Sequence, residues 1–309
     1  MKSVIQTASF VLIFLSLVQS TKAQSTYYGL NFAYSTHMPG TSYVTNYEND
    51  YESYSSNFDF FDDNTEFSER VNISYGSGLN FGVVVGRMLN PNIGIELGAA
   101  YLKGNSITNT DNYSSSYYYS QNGSSYSLNS EYTREYTRTR SINMYKVMPS
   151  LVFSSGNEVF SPYTKFGAVI GSGTLTQEEE IYTYGADFNS GSFSSEDEYI
   201  VEEQTGGFAF GFGAAIGFSY NLNASTSIYA EGYFEALNYS PKSGELTTYE
   251  LNGMNIADTL SIADTQYEFV NELSDSGNQS QSDNEPYKLL RIIYPMTTAA
   301  LRFGVNFYF

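Results

Sequence analysis

Glu96, Lys146, Lys165, Glu231, Glu235 and Arg302 are charged residues set into segments that otherwise alternate apolar with small or polar side chains. Glu96 stands between Gly94 and Gly98, Lys165 two residues before Gly167, and Arg302 two residues before Gly304. Successive side chains of a strand point to opposite faces, so these three carboxylates and three cations would share one interior face. Two kinds of chemistry suit charges confined to a narrow interior: a gated path for ions, or ion pairs that fill the space. An isolated buried charge is very costly, so either reading requires the six to pair.

Other chemistry is sparsely provided for. The chain has a single histidine, His37, and no cysteine, which excludes disulfides, thiolate metal sites, cysteine nucleophiles and a lipidated cysteine. Asp111 and Ser114 offer an acid and a hydroxyl in a polar stretch, but no spacing sets them within hydrogen-bond reach of His37. There is no Gly-x-Ser-x-Gly elbow, His-Glu-x-x-His helix or phosphate loop. The acidic runs Asp59–Glu69, Glu178–Glu180 and Glu196–Glu198 invite a calcium reading. Asp62-Asp63-Asn64-Thr65-Glu66 lacks the glycine that an EF-type loop needs at its sixth position, so solvated acidic loops are expected, with no metal and no cofactor. The Tyr117-Tyr118-Tyr119 cluster among Ser and Asn fits an adaptable binding surface and low-complexity disorder equally well.

The elements that must position the six charges are eight alternating segments: 27–34, 78–88, 93–101, 142–153, 163–171, 208–220, 227–237 and 301–309. The sixth is the clearest, with Phe208, Phe210, Phe212, Ala214, Ile216, Phe218 and Tyr220 against Ala209, Gly211, Gly213, Ala215, Gly217 and Ser219. Short turns at Asn90-Pro91-Asn92, Ser155-Gly156-Asn157 and Asn221-Leu222-Asn223 alternate with long polar intervals after the first, third, fifth and seventh segments. An even number of strands, short turns on one side and long loops on the other is the plan of an outer-membrane barrel. Alternation continues past the apolar bands. Tyr132, Arg134, Tyr136, Arg138 and Arg140 keep the parity of Lys146, and Gln177 and Glu179 that of Lys165. The sheet is therefore expected to project, with Arg134 and Arg138 near Glu179 across the strands. Asn252-Gly253 predicts a hairpin outside the apolar bands, and counting it as a spanning pair would make a ten-stranded barrel instead.

The N-terminus reads as a secretory signal. Lys2 supplies the positive region, Phe10–Val18 the apolar stretch, and Thr21 and Ala23 the small residues before a cut at Gln24, leaving 24–309 as one domain. No other stretch is long and apolar enough for a spanning helix. Formal charge is −19, and removing Lys2 and Lys22 takes it to −21, which disfavours nucleic acid and favours cations or basic partners.

The chain ends with Leu301, Phe303, Val305, Phe307 and Phe309 on one face and Arg302, Gly304, Asn306 and Tyr308 on the other. The spacing of Arg302, Gly304, Phe307 and Phe309 resembles the C-terminal signal by which outer-membrane proteins are recognised for insertion. With the eight-segment rhythm, the chain resembles the small OmpA/OmpX-type outer-membrane barrels, with longer and more acidic loops and no peptidoglycan-binding domain. The resemblance implies an all-β fold, an eight-stranded antiparallel up-and-down transmembrane β-barrel with long extracellular loops, in the outer membrane of a Gram-negative cell. It also implies contact with outer-membrane lipid and lipopolysaccharide, and with the barrel-insertion machinery through the last strand. An interior of eight strands is just wide enough for side chains to fill, which favours the ion-pair network over the gated path. The expected work is non-enzymatic: structural or adhesive binding of a protein or glycan partner at the loops, with an accessory subunit of a larger complex, a rim-sited lipid-modifying enzyme and a narrow channel as alternatives.

Overall fold

The computed structural model describes residues 26–38, 52–55, 58–61, 74–120, 126–157, 159–188, 190–273 and 282–309. The signal segment, Asp62–Glu66 and the side chains of Ser114 and Tyr117–Tyr119 lie outside the described residues. The strands are β1 (Thr26–His37), β2 (Glu52–Ser55), β3 (Phe58–Phe61), β4 (Gly78–Met88), β5 (Ile93–Gly104), β6 (Ile107–Ser120), β7 (Tyr126–Ser154), β8 (Phe160–Asp187) and β9 (Ser192–Thr205). They continue with β10 (Ala209–Asn223), β11 (Thr226–Tyr239), β12 (Ser243–Leu251), β13 (Met254–Asn255), β14 (Gln266–Val270), β15 (Tyr287–Leu290), β16 (Tyr294–Pro295) and β17 (Thr298–Tyr308). Among the described residues no helix is long and apolar enough to cross a membrane, which says nothing of strands.

Antiparallel pairing runs from β8 through β10, β11, β17, β1, β4 and β5 to β7, and β7 pairs with β8. Each of these strands carries one of the alternating segments. Their faces separate cleanly. Tyr145 is 72% exposed, Ile216 70%, Phe208 68% and Phe210 67%, whereas Glu231 and Glu235 on the opposite face are 3% and 2% exposed. Glycines on the buried face leave room for large rings. A Cβ on Gly86 would stand 2.2 Å from the ring of Tyr27, and one on Gly304 would stand 2.4 Å from that of Tyr229.

The ends of several strands differ from expectation. β7 and β8 run far beyond 142–153 and 163–171 as one paired ribbon, from Ser130 opposite Asp187 to Ser154 opposite Tyr163. Asn221–Asn223 belongs to β10 and the turn falls at Ala224-Ser225, where the Asn223 side chain accepts from both the Ser225 amide and its hydroxyl at 2.9 Å. The Asn90 side chain accepts from the amides of Asn92 and Ile93 at 2.8 Å, closing the β4–β5 turn as expected for Asx chemistry. The polar intervals hold strands of their own: β6 pairs with β7, β9 with β8, and β12 with β9 and β14. Asn252 and Gly253, at φ 51° and 78°, do turn β12 into β13, but that hairpin pairs with β9 and β14 and not with the eight strands above.

Between Val147 opposite Ile170 and Ser150 opposite Gly167 the β7–β8 ladder lacks two pairs. Pro149 sits in that gap, with its carbonyl 2.2 Å from where a Gly167 Cβ would stand, so its nitrogen faces β8 without a hydrogen to donate. Pro149→Val would restore that donor. The refolded variant should be more stable than wild type by about 1 kcal/mol, with a correspondingly higher urea midpoint. An unchanged or lower midpoint would show that the gap has another cause.

Candidate functional site

The six interior charges come from β5 (Glu96), β7 (Lys146), β8 (Lys165), β11 (Glu231 and Glu235) and β17 (Arg302). Lys165 Nζ stands 3.0 Å from both Glu96 oxygens and 3.4 Å from Glu231 Oε2. Arg302 Nη1 donates to Glu231 Oε1 at 2.7 Å, and Lys146 Nζ donates to Glu235 at 2.8 and 3.1 Å. Arg302 and Glu231 are directly opposite on the paired strands β17 and β11, but the partners of both lysines are not on neighbouring strands. Lys146 on β7 reaches Glu235 on β11 although β8 and β10 stand between them in the pairing order.

Tyrosines complete the coordination of each carboxylate. Tyr27 donates to Glu96 at 2.7 Å, Tyr163 to Glu231 at 2.8 Å and Tyr233 to Glu235 at 2.6 Å. The Arg302 guanidinium lies 3.8 Å from the centroid of the Tyr233 ring, and Lys165 lies 5.1 and 5.2 Å from those of Tyr163 and Tyr229. Three acids face three bases, so the group is formally neutral. A cavity of about 40 Å³ lies among Asn80, Glu96, Lys146, Lys165, Glu235 and Arg302, room for ordered water rather than for a solute.

Toward the long connections the buried face turns apolar. Leu102, Ile142, Met144, Val169, Leu175, Ala209, Leu237 and Tyr239 pack with Tyr75, Tyr294 and Met296 from the connecting segments. The Tyr239 hydroxyl lies 2.6 and 3.0 Å from the carbonyl oxygens of Gly173 and Gly206, which share its one proton, and Tyr75 meets Tyr294 edge-on at 5.3 Å. Sequence reasoning missed this cluster. Leu102, Met144 and Leu175 continue the parity of Glu96, Lys146 and Lys165 and could have been found that way, whereas Tyr75 and Met296 lie in no alternating segment.

Farther along β7, β8, β9 and β14 is a third set. Arg138 Nε donates to Glu179 at 2.7 Å, and Gln177 Nε2 bridges Glu179 and Glu202 at 2.7 and 3.3 Å. Arg140 holds the Gln177 carbonyl, and Tyr267 donates to Glu202 at 3.2 Å. Arg138 thus meets Glu179 as the parity predicts. Arg134 does not; it stands 3.9 Å from Glu198, which β9 places on the same face in the adjacent same-face row, that of Tyr136. Burial, and next the Glu179 charge, push the Glu202 carboxyl above its ordinary value. Burial is also the main reason that the Tyr267 phenol is raised, followed by the Glu202 charge.

The remaining sequence candidates are dispersed. His37 ends β1 opposite Thr298 and is exposed, while Asp111 lies on β6 opposite Tyr136. Of the C-terminal pattern, Arg302 is committed to Glu231, Gly304 faces the Tyr229 ring, and Phe307 and Phe309 are exposed on the apolar face. Among the described residues no group of three or more His, Cys, Asp or Glu could hold a metal ion.

Two expectations follow from this geometry. Glu231→Ala leaves Arg302 without its carboxylate and Lys165 with Glu96 alone, and should cost about 3–5 kcal/mol in urea unfolding, whereas Lys146→Met combined with Glu235→Leu should cost far less than Glu235→Leu by itself. Additive losses in that pair would mean the charges act independently. The second concerns pH. The folded-state pKa of Glu202 is raised, so its contribution is complete below the ordinary value of 4.5 and is lost as pH rises through the raised one. Hydrogen exchange, corrected for its intrinsic pH dependence, should show β9 and β14 better protected in acid than at neutrality, and Glu202→Gln should flatten that difference.

No protein-family model and no curated protein matches the chain. Among solved structures it is similar to Ail, the attachment invasion locus protein of Yersinia pestis, at 11% identity and TM-score 0.30, over 93% of this chain and 100% of that one. It is also similar to the outer membrane protein OprG of Pseudomonas aeruginosa, at 13% identity and TM-score 0.38, over 94% of this chain and 99% of that one. At TM-scores this low, neither likeness carries weight beyond the strand pairings and exposures already described.

Proposed function

We propose that this chain is an outer-membrane protein: an eight-stranded antiparallel transmembrane barrel of the OmpA/OmpX type, with its interior filled and a sheet projecting from its outer rim as a binding surface. The observation that carries this reading is the inversion of ordinary burial. Large apolar side chains such as Tyr145, Phe210, Ile216 and Leu301 are exposed on one face, while charged pairs are buried behind them. Water would penalise such a surface, and hydrocarbon would not. Ion pairs that skip over intervening strands support a closed ring, because only across an enclosed space do β7 and β11 come within reach.

The work proposed is non-enzymatic and structural or adhesive. The lone histidine is exposed at a strand end, and the charged residues that meet are matched to one another rather than to a reacting atom. Ion pairs at one level and the apolar cluster at the next support a sealed interior over a narrow channel. Glu96, Lys146, Lys165, Glu231, Glu235 and Arg302 then serve as the internal brace. Phe307 and Phe309 with Gly304 and Arg302 form the strand offered to the insertion machinery, and the belt meets outer-membrane lipid and lipopolysaccharide. The long connections, built into β6–β9 and β12–β15, face the medium and offer the surface for a protein or glycan partner.

The test is fractionation with surface proteolysis. The unheated protein should run faster on SDS gels than the boiled one and co-sediment with outer membranes, and protease added to intact cells should cut only within the projecting sheet and its loops. Ile216→Arg, on the exposed face of β10, should cost about 2–4 kcal/mol of folding in lipid if that position lies near the bilayer midplane. A soluble fraction without heat-dependent mobility, or an Ile216→Arg variant that folds as wild type in lipid, would sink the membrane reading.

A further inference from the structure

The projecting part of β7, β8, β9 and β12 has two faces of unlike charge. Arg134, Arg138 and Arg140 all lie on the face that also holds Glu179, Glu198 and Glu202. The opposite face carries acids alone. Cross-strand rows there place Glu135 with Asp197, Glu180 with Glu250 and Glu203 opposite Glu245, with Glu178 between the last two rows. None of these seven enters an ion pair with a described residue, and no lysine or arginine stands in their rows. Directly opposed like charges such as Glu203 and Glu245 weaken a sheet, so folding alone gives no reason for the segregation. Tyr182 and Tyr199 stand among the acids and line, with Glu135, Glu180 and Glu250, a groove of about 390 Å³. The Tyr199 phenol is raised by burial and then by Glu178, Glu180 and Glu250, all pressing one way on a face without counter-charge.

Spacing decides what such a face accepts. The acids are spread over strands roughly 4.8 Å apart, at positions roughly 7 Å apart along each strand, the repeat of alternate residues in an extended chain. They do not converge, and no group of them could hold a metal ion. We propose that this acidic, tyrosine-bearing sheet face docks an extended Lys- or Arg-rich segment of a partner protein, whose alternate cations meet the carboxylates while Tyr182 and Tyr199 offer ring faces to them. This rests on the proposed function, in which the sheet stands outside the membrane, and it names the chemistry of the partner.

The test uses the full-length purified protein in detergent and a labelled peptide of about ten residues alternating Lys with Thr, the repeat of an extended chain. Binding should be measurable at low salt, weaken steeply toward about 0.15 M salt, and be absent for the peptide with Glu in place of Lys. The variant Glu135→Gln, Glu178→Gln, Glu180→Gln, Glu250→Gln should bind about tenfold more weakly, four exposed pairs at about 0.3–0.5 kcal/mol each. Unaltered heat-dependent mobility would show that it still folds. Equal binding by this variant and wild type would overturn the proposal. So would saturable calcium binding that the variant loses while neither protein binds the peptide, which would make this a cation site. Peptide binding is read on purified protein, so its failure is separate from any failure of the fractionation experiment.

Discussion

Three acidic and three basic side chains share a space that water barely enters, and every one of them is matched by an opposite partner. A carboxylate moved from water to such a place costs several kcal/mol, and only close opposite charge with further hydrogen bonds offsets it. Glu231 shows how fully this is done: Arg302, Lys165 and the Tyr163 hydroxyl all converge on it. A one-residue slip of β11 would turn Glu231 and Glu235 outward, leaving Lys146 and Arg302 without a carboxylate and Lys165 with Glu96 alone.

Above the charges the filling changes kind. Leu102, Met144, Leu175 and Tyr239 make a dry layer in which few polar atoms need a partner; the Tyr239 hydroxyl has two carbonyls within reach, and that of Tyr294 donates to Gln204. The two layers also divide the labour of the eight strands: one fixes which residues face each other, the other excludes water where the wall gives way to the projecting sheet.

Much of the wall was legible because alternation is a local property. Phe210 to Phe218 announces its own two faces, and Lys146, Lys165 and Arg302 can be assigned inward by counting. Partner choice was not legible in the same way. That Lys146 meets Glu235 and not the nearer-looking Glu96 depends on heights set by the stagger of strands far apart in sequence. The Ala224-Ser225 turn was displaced because Asn221 and Asn223 carry turn chemistry while still pairing within β10. Tyr75, Tyr294 and Met296 were invisible, since a residue in a connection reports nothing of what it covers. Arg134 was misassigned for a related reason: Glu198 comes within its reach only through β9, a strand with no apolar stripe to mark it.

β7 and β8 cross from the braced interior to the tip of the projecting sheet without a break that could serve as a hinge, Pro149 notwithstanding. From Lys146 to Ser130 the ribbon extends sixteen residues, a reach of roughly 50 Å at the rise of an extended strand. The outer sheet is thus a cantilever built into the wall. A partner landing on it would meet a surface with little conformational freedom left to lose, able to pass mechanical load straight down two covalent chains into the strands that hold the buried charges.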